Sequence, residues 1–165
     1  MPNNPTHPDA NKLKGLALAL LSEQSAITLA TAHDDIPWAA PVYYANRDYD
    51  CFFFSSPNAR HIIEAAHNRP VAGAVFAPAA TWQAIKGLQM TGQIQPQAPS
   101  VTTARTVKRY VEKFAFTVDF FKPGRSVDLD SFQRRFKVHL YRFRPQQVYY
   151  LDNSIAFGFR KRVSL

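Results

Sequence analysis

The feature that most restricts the fold is a run of short apolar segments separated by tight polar turns. Ala26-Ile27-Thr28-Leu29-Ala30-Thr31 is rich in β-branched residues, and Asp34-Asp35 supplies a turn before Trp38 to Tyr44. A second turn, Asn46-Arg47-Asp48, leads into Tyr49-Asp50-Cys51-Phe52-Phe53-Phe54. Three short strands joined this way read as an antiparallel meander. The 13 Phe and 7 Tyr of the chain suit it, because bulky aromatic side chains pack well on a pleated surface.

The remaining chain extends this pattern. Residues 1–8, with three prolines and two asparagines, read as a flexible arm. Asp9 is placed to cap a helix reaching about Gln24, with Leu13, Leu16, Leu20 and Leu21 on one apolar face. Pro57 to Ala66 predicts a short helix and Val71 to Phe76 a buried strand. Trp82 to Gln95 predicts a long strand with Gly92 as a bulge. Residues 100–115 predict a helix on which Val101, Val107, Tyr110, Val111 and Phe114 share a face. The stretch from Phe116 to Arg135 is aromatic and basic, with Pro123-Gly124 as a turn, and has no pattern that assigns it. Phe136 to Leu151 predicts one long or two short strands, and Ala156 to Val163 another. Strands outnumber helices without alternating regularly with them, which argues against a parallel α/β sheet. The expected architecture is mainly β: residues 9–165 as a single domain, an antiparallel barrel closed or nearly closed, with peripheral helices.

Charge divides the chain. Residues 1–103 carry six basic and seven acidic groups, whereas residues 104–165 carry fourteen and five, a net +9. Such a half attracts nucleic acid, an anionic membrane face or a phosphorylated small molecule. Arg105, Lys108, Arg109 and Lys113 equally make the solvated face of a helix, and a nucleic-acid partner is not expected from a high isoelectric point alone. No apolar run approaches the roughly 20 residues that cross a bilayer. The start of the chain has neither the basic residues nor the apolar stretch of a secretory signal, and the lone Cys51 permits no internal disulfide; a cytoplasmic setting is expected. The five histidines show no paired metal spacing and the six glycines are dispersed, so neither a metal site nor a glycine-rich phosphate loop is expected. Cys51 reads as a packed small hydrophobe, Asp34-Asp35 as a turn, and Trp38 and Trp82 by default as core.

Chemistry concentrates in Phe54-Ser55-Ser56-Pro57-Asn58-Ala59-Arg60-His61. An apolar strand ends, two hydroxyl residues follow, and proline stands where a helix begins. A helix start offers unpaired N–H groups and a positive dipole end, both suited to phosphate. Ser55 and Ser56 add hydroxyls, Arg60 can hold two phosphate oxygens at once, and His61 can donate one more hydrogen bond. The same residues also fit a plain helix cap, with Ser56 as the cap and Arg60 and Glu64 as an (i, i+4) surface pair.

This segment resembles the phosphate-binding segment of pyridoxamine 5'-phosphate oxidase-like proteins. There a strand ends in a small hydroxyl residue, a basic pair opens a helix, and a proline and valine-rich strand follow. Ser55, Arg60 and His61 stand at the matching positions, followed by Pro70-Val71-Ala72-Gly73-Ala74-Val75. The departure is His61, where many members carry lysine; a neutral imidazole attracts phosphate less and makes binding pH-dependent. Three further patterns resemble a bacterial YhbP-like branch of that superfamily: Ala59-Arg60-His61, Lys86-Gly87-Leu88-Gln89-Met90-Thr91-Gly92, and Asp152 through Phe159.

The resemblance implies a split β-barrel homodimer with FMN in the groove between subunits. It implies that Ala39, Ala40, Pro41 and Val42 lie along the flavin ring, although these small residues equally suit a cramped barrel interior. It also implies a polar contact from Gln89, in some members from the partner chain, and contacts from Asn153 and Lys161 near the C-terminus. The expected function is that of an FMN-dependent oxidoreductase acting on an anionic small molecule. The alternative is a non-catalytic barrel that holds flavin or haem for storage, sensing or regulation.

Overall fold

A computed structural model of the chain describes residues 7–115, 117 and 129–165. Eight strands among them form one sheet in which every pairing is antiparallel. They are β1 (Ala26–His33), β2 (Ile36–Tyr43), β3 (Ala45–Arg47), β4 (Asp50–Ser55), β5 (Val71–Phe76), β6 (Lys86–Pro96), β7 (His139–Asp152) and β8 (Arg160–Val163). The helices are α1 (Ala10–Glu23), α2 (Arg60–His67), α3 (Val101–Lys113) and α4 (Leu129–Phe136). The sheet runs β2-β1-β5-β6-β7-β4-β3, with β8 on β7. The length of β7 makes this possible: Leu140 to Phe143 pairs with β4, and Val148 to Leu151 pairs with β8. The sheet curls into a split half-barrel, so that β2 approaches β4 across a seam although the two are not ladder neighbours.

Period-two alternation sorts the side chains. Ile27, Leu29 and Thr31 of β1, Val71 and Val75 of β5, and Leu88 and Met90 of β6 point inward and are buried. Helix α1 fills the concave side, where Leu13, Ala17, Leu20 and Leu21 join the same core. Its N-terminus is capped by Asp9, whose Oδ1 accepts from the Lys12 N–H at 2.8 Å. Its C-terminal carbonyls are capped from elsewhere in the fold. The Tyr44 hydroxyl donates to Leu21 O (2.7 Å), and Lys113 Nζ reaches Gln24 O (2.5 Å) from α3 while lying 4.4 Å from the Tyr44 ring centroid. A cation at a helix C-terminus offsets the partial negative charge there. Lys113 is therefore not part of the solvated basic face expected for α3, and burial pulls its ammonium below the usual lysine range.

Several expectations change. The helix after Ser56 starts at Arg60, because Ser56 to Ala59 forms a turn closed by Ala59 N–H to Ser56 O (3.0 Å). Asn46 and Arg47 belong to β3, and the turn shifts to Asp48-Tyr49, with Asp48 in the left-handed region at φ 51°. Trp82–Ala84 is a 3-10 turn closed by Ile85 N–H to Trp82 O, and the long strand begins after it at Lys86. Phe136 ends α4 instead of starting β7. Trp38 and Trp82 are not core but 42% and 54% exposed, and Val101 is exposed as well. Of the expected arm, residues 1–6 lie outside the described residues, while His7 stacks on Phe159 (5.4 Å) and Pro8 is buried. Most of the unassigned stretch, 116 and 118–128, also lies outside them.

The register shift falls beside Gly92, between Thr91 and Gly92, but the extra residue is Gln146 of β7, because Thr91 opposes Gln147 and Gly92 opposes Pro145. A Cβ on Gly92 would overlap the Arg144 carbonyl, which is backbone and cannot swing aside. Gly92→Ala is therefore expected to lower stability by about 1–3 kcal/mol. Gly15→Ala on α1, where a Cβ meets open space, is expected to raise it by about 0.5–1 kcal/mol. Urea midpoints of the two variants check the pair, and a neutral Gly92→Ala would contradict the close approach.

Candidate functional site

The site is built where β4 hands over to α2. Ser55 ends β4 with its side chain buried, and the following turn carries Ser56, whose Oγ accepts from Asn58 N–H at 3.2 Å. His61, in the first turn of α2, returns to Ser55, with Nε2 and Oγ 3.0 Å apart. Both residues are buried, and the bond between them commits Ser55 Oγ and His61 Nε2 to each other. Burial lowers the His61 imidazole below its ordinary value, opposed in part by the nearby Glu64 carboxylate.

Beside this pair lies a network that the sequence reading treated as surface. Glu64 is only 5% exposed. Its Oε1 accepts from Arg60 Nε at 2.6 Å and its Oε2 from the Thr31 hydroxyl at 2.5 Å. These two hydrogen bonds, with the guanidinium charge, hold the carboxyl below the usual carboxylate range despite its burial. The Arg60 side chain remains 45% exposed, and its Cζ lies 4.5 Å from the centroid of the Trp38 ring. One guanidinium thus joins α2 to β2, and one carboxylate joins α2 to β1. Sequence reasoning missed Thr31, and it placed Glu64 on the surface as the partner of Arg60 and Trp38 by default in the core. The available signal was phase: Thr31 shares the inward phase of Ile27 and Leu29, where a polar side chain requires a partner.

The other expected contacts distribute as follows. Ala39 and Pro41 pair with Ala30 and Thr28 on the outer face of the sheet, whereas Val42 pairs with the inward Ile27. All three stand on β2, the edge strand that borders the seam. Gln89 is exposed on the outer face of β6, where its Oε1 accepts from Arg160 Nη1 at 3.4 Å. Along the sheet β6 lies three strand spacings from β2, about 14 Å. Asn153 uses both ends of its amide within its own loop region, donating to Trp82 O (2.8 Å) and accepting from Gly158 N–H (3.0 Å). Lys161 is exposed on β8. The structure therefore brings Ser55, Ser56, Arg60 and His61 together beside β2, and leaves Gln89, Asn153 and Lys161 on the far strands of the same sheet.

Cys51 is buried and its thiol is pushed up by burial, as befits a packed side chain. Among the described residues no cluster of three or more His, Cys, Asp or Glu could hold a metal ion, and no helix is long and apolar enough to cross a membrane.

The depressed His61 value has a definite pH consequence. As pH falls, the unfolded chain takes up the imidazole proton before the folded one does, so stability is lost from about pH 6.5 down through the folded-state value. The urea midpoint is expected to fall between about pH 7.5 and about pH 5.5, and to fall less in His61→Gln, which removes the titrating group. Equal losses in the two proteins would show that the imidazole titrates freely in the fold.

No family model matches the chain. A curated relative, the UPF0306 protein of Klebsiella pneumoniae (strain 342), is 26% identical over 140 residues, covering 84% of each chain. This agrees with the bacterial branch that the sequence motifs resemble. Among solved structures, a haem-binding protein of Mycobacterium smegmatis superposes with a TM-score of 0.69 at 18% identity. It covers 96% of this chain, which spans only 59% of the mycobacterial protein. A Listeria innocua protein assigned as a pyridoxamine 5'-phosphate oxidase gives 0.63 at 14% identity, over 84% of this chain and 98% of its own. An FAD-binding protein of Mesorhizobium loti gives 0.60 at 20% identity, over 81% and 89%. In topology and in these likenesses, the chain is a split-barrel protein with the fold of the pyridoxamine 5'-phosphate oxidase-like superfamily.

Proposed function

We propose that the chain binds FMN, with the flavin phosphate at the Arg60 end of the seam between β2 and β4. The observation that carries this reading is the half-exposed guanidinium of Arg60, fixed at the open end of α2. Its Nε is committed to Glu64, which leaves the two Nη groups as donors toward an anion. Ser56 Oγ and the N–H groups of Arg60 and His61, the first two of α2, complete the donor set, since Ile62 and Ile63 already donate to Ala59 O. Ser55 and His61, bonded to each other, form the floor of the seat. The edge strand β2 offers Ala39 and Pro41, whose small side chains let a flat ring come close, with Val42 behind them. Residues and group fit on these grounds.

When bound, FMN supplies electron transfer, and the protein supplies the phosphate seat, the ring platform and the exclusion of water. We assign the chain an oxidoreductase role on an anionic small molecule, in keeping with its basic C-terminal half. A homodimer belongs to the same reading, because within one subunit Gln89, Asn153 and Lys161 stand on other strands than the seam and a second copy would bring them to the groove.

A second reading, a non-catalytic flavin or haem carrier, draws on one specific observation besides the mycobacterial likeness. His33 and His67 bring their exposed rings within 5.3 Å of each other, and imidazole is a natural haem-iron ligand. A visible spectrum separates the two, a flavin spectrum from a Soret band, and reduction of bound flavin by a nicotinamide donor separates enzyme from carrier. For the phosphate seat, Arg60→Ala is expected to weaken FMN about ten- to a hundredfold, the range for one charge-assisted contact, while leaving riboflavin unchanged. Undiminished FMN affinity in that variant would place the phosphate elsewhere.

A further inference from the structure

We infer that Thr31 and Glu64 are positioning residues for Arg60, and that they set how strongly the site distinguishes a phosphorylated flavin from the unphosphorylated one. The inference rests on the flavin reading above and adds to it the residues that determine its selectivity.

An isolated (i, i+4) pair on a helix surface contributes little and fixes neither partner. The Arg60–Glu64 pair differs in burial and in having a third partner. The Glu64 carboxylate is buried, and each of its oxygens is engaged, one by Arg60 Nε and the other by the hydroxyl of Thr31 on β1. With both oxygens engaged the carboxylate cannot rotate without breaking a hydrogen bond. Its direction is thereby passed to the guanidinium, whose Cζ lies 4.5 Å from the ring centroid of Trp38 on β2. Arginine ordinarily loses considerable rotamer freedom when it grips an anion; here most of that loss has occurred before any ligand arrives.

Charge makes the orientation matter more. Glu64 cancels the charge of Arg60, and the buried His61 has its imidazole lowered, toward the neutral form. The immediate seat therefore carries little net charge to draw a phosphate from a distance. Discrimination has to come from donors already aimed at the phosphate oxygens, and Thr31 is the outermost link in the chain that aims them.

The experiment titrates FMN and riboflavin separately, by flavin fluorescence, into wild type, Thr31→Val, Thr31→Ser, Arg60→Ala and the Thr31→Val/Arg60→Ala double variant. Thr31→Val keeps shape and strand preference but removes the hydroxyl. It is expected to lower the ratio of FMN to riboflavin affinity about fivefold, the worth of one hydrogen bond, with riboflavin unchanged. Thr31→Ser, which restores the hydroxyl, is expected to keep the wild-type ratio. In the Arg60→Ala background the Thr31 change is expected to have no further effect on the ratio, since it acts through Arg60. If Thr31→Val weakens both flavins equally, its role is structural and the inference is overturned while the phosphate seat stands. The same holds if Thr31→Val leaves the ratio at its wild-type value while Arg60→Ala abolishes it. If Arg60→Ala keeps the ratio, the seat itself is wrong and the positioning role falls with it.

Discussion

A strand poorly suited to pairing on both sides governs this fold. β2 carries Pro37 and Pro41, four residues apart and so on the same side of the ladder. Proline has no N–H to donate, so both face away from β1, and the outer edge of β2 is missing two of the N–H donors that a further strand would use. The sheet consequently curls without closing. β2 and β4 meet at a seam instead of a continuous ladder, and side chains tie α2, the helix that follows β4, to β1 and β2.

Those side chains form one electrostatic unit. Glu64 receives hydrogen bonds from β1 and from its own helix, and Arg60 carries the connection on to Trp38 of β2. Burial alone would favour a protonated carboxyl, but two hydrogen bonds and an adjacent cation reverse this and keep it ionised. The arrangement ties α2 to β1 and β2 and leaves a guanidinium half-exposed. A structural brace and a candidate anion site are thus the same set of atoms.

Much of this was legible in the sequence, for physical reasons. The Asp34-Asp35 turn has both residues at positive φ, and the two strands it joins pair from His33↔Ile36 onward, so local turn chemistry fixed their register. The Asp9 cap was also a local event, and Gly92 marked the place of the register shift though not the strand that bulges. Less legible was anything that depends on partners distant in the chain. Lys113 reads as one cation among several on α3, and only the packed fold shows it capping α1, nearly ninety residues earlier. The Arg60–Glu64 spacing was visible, but that the pair is buried depends on Thr31, contributed by another strand. Pro57 suggested a helix start because proline favours first turns, yet the Ser56–Ala59 turn claimed it first and moved the helix to Arg60. The tryptophans read as core only by default, whereas Trp38 lies on an edge strand beside a cation and Trp82 meets Phe157 at the surface.

The split-barrel fold is shared by proteins that hold different cofactors, so the fold does not choose among them and the seat must. The account places the choice on one oriented guanidinium beside Trp38. A crystal structure of the protein grown with FMN tests this most directly. The account predicts the flavin phosphate within hydrogen-bond distance of the Arg60 Nη groups, with the Arg60–Glu64–Thr31 bonds retained. A phosphate seated on the Arg160–Lys161 stripe of β8, or anywhere away from Arg60, would contradict it.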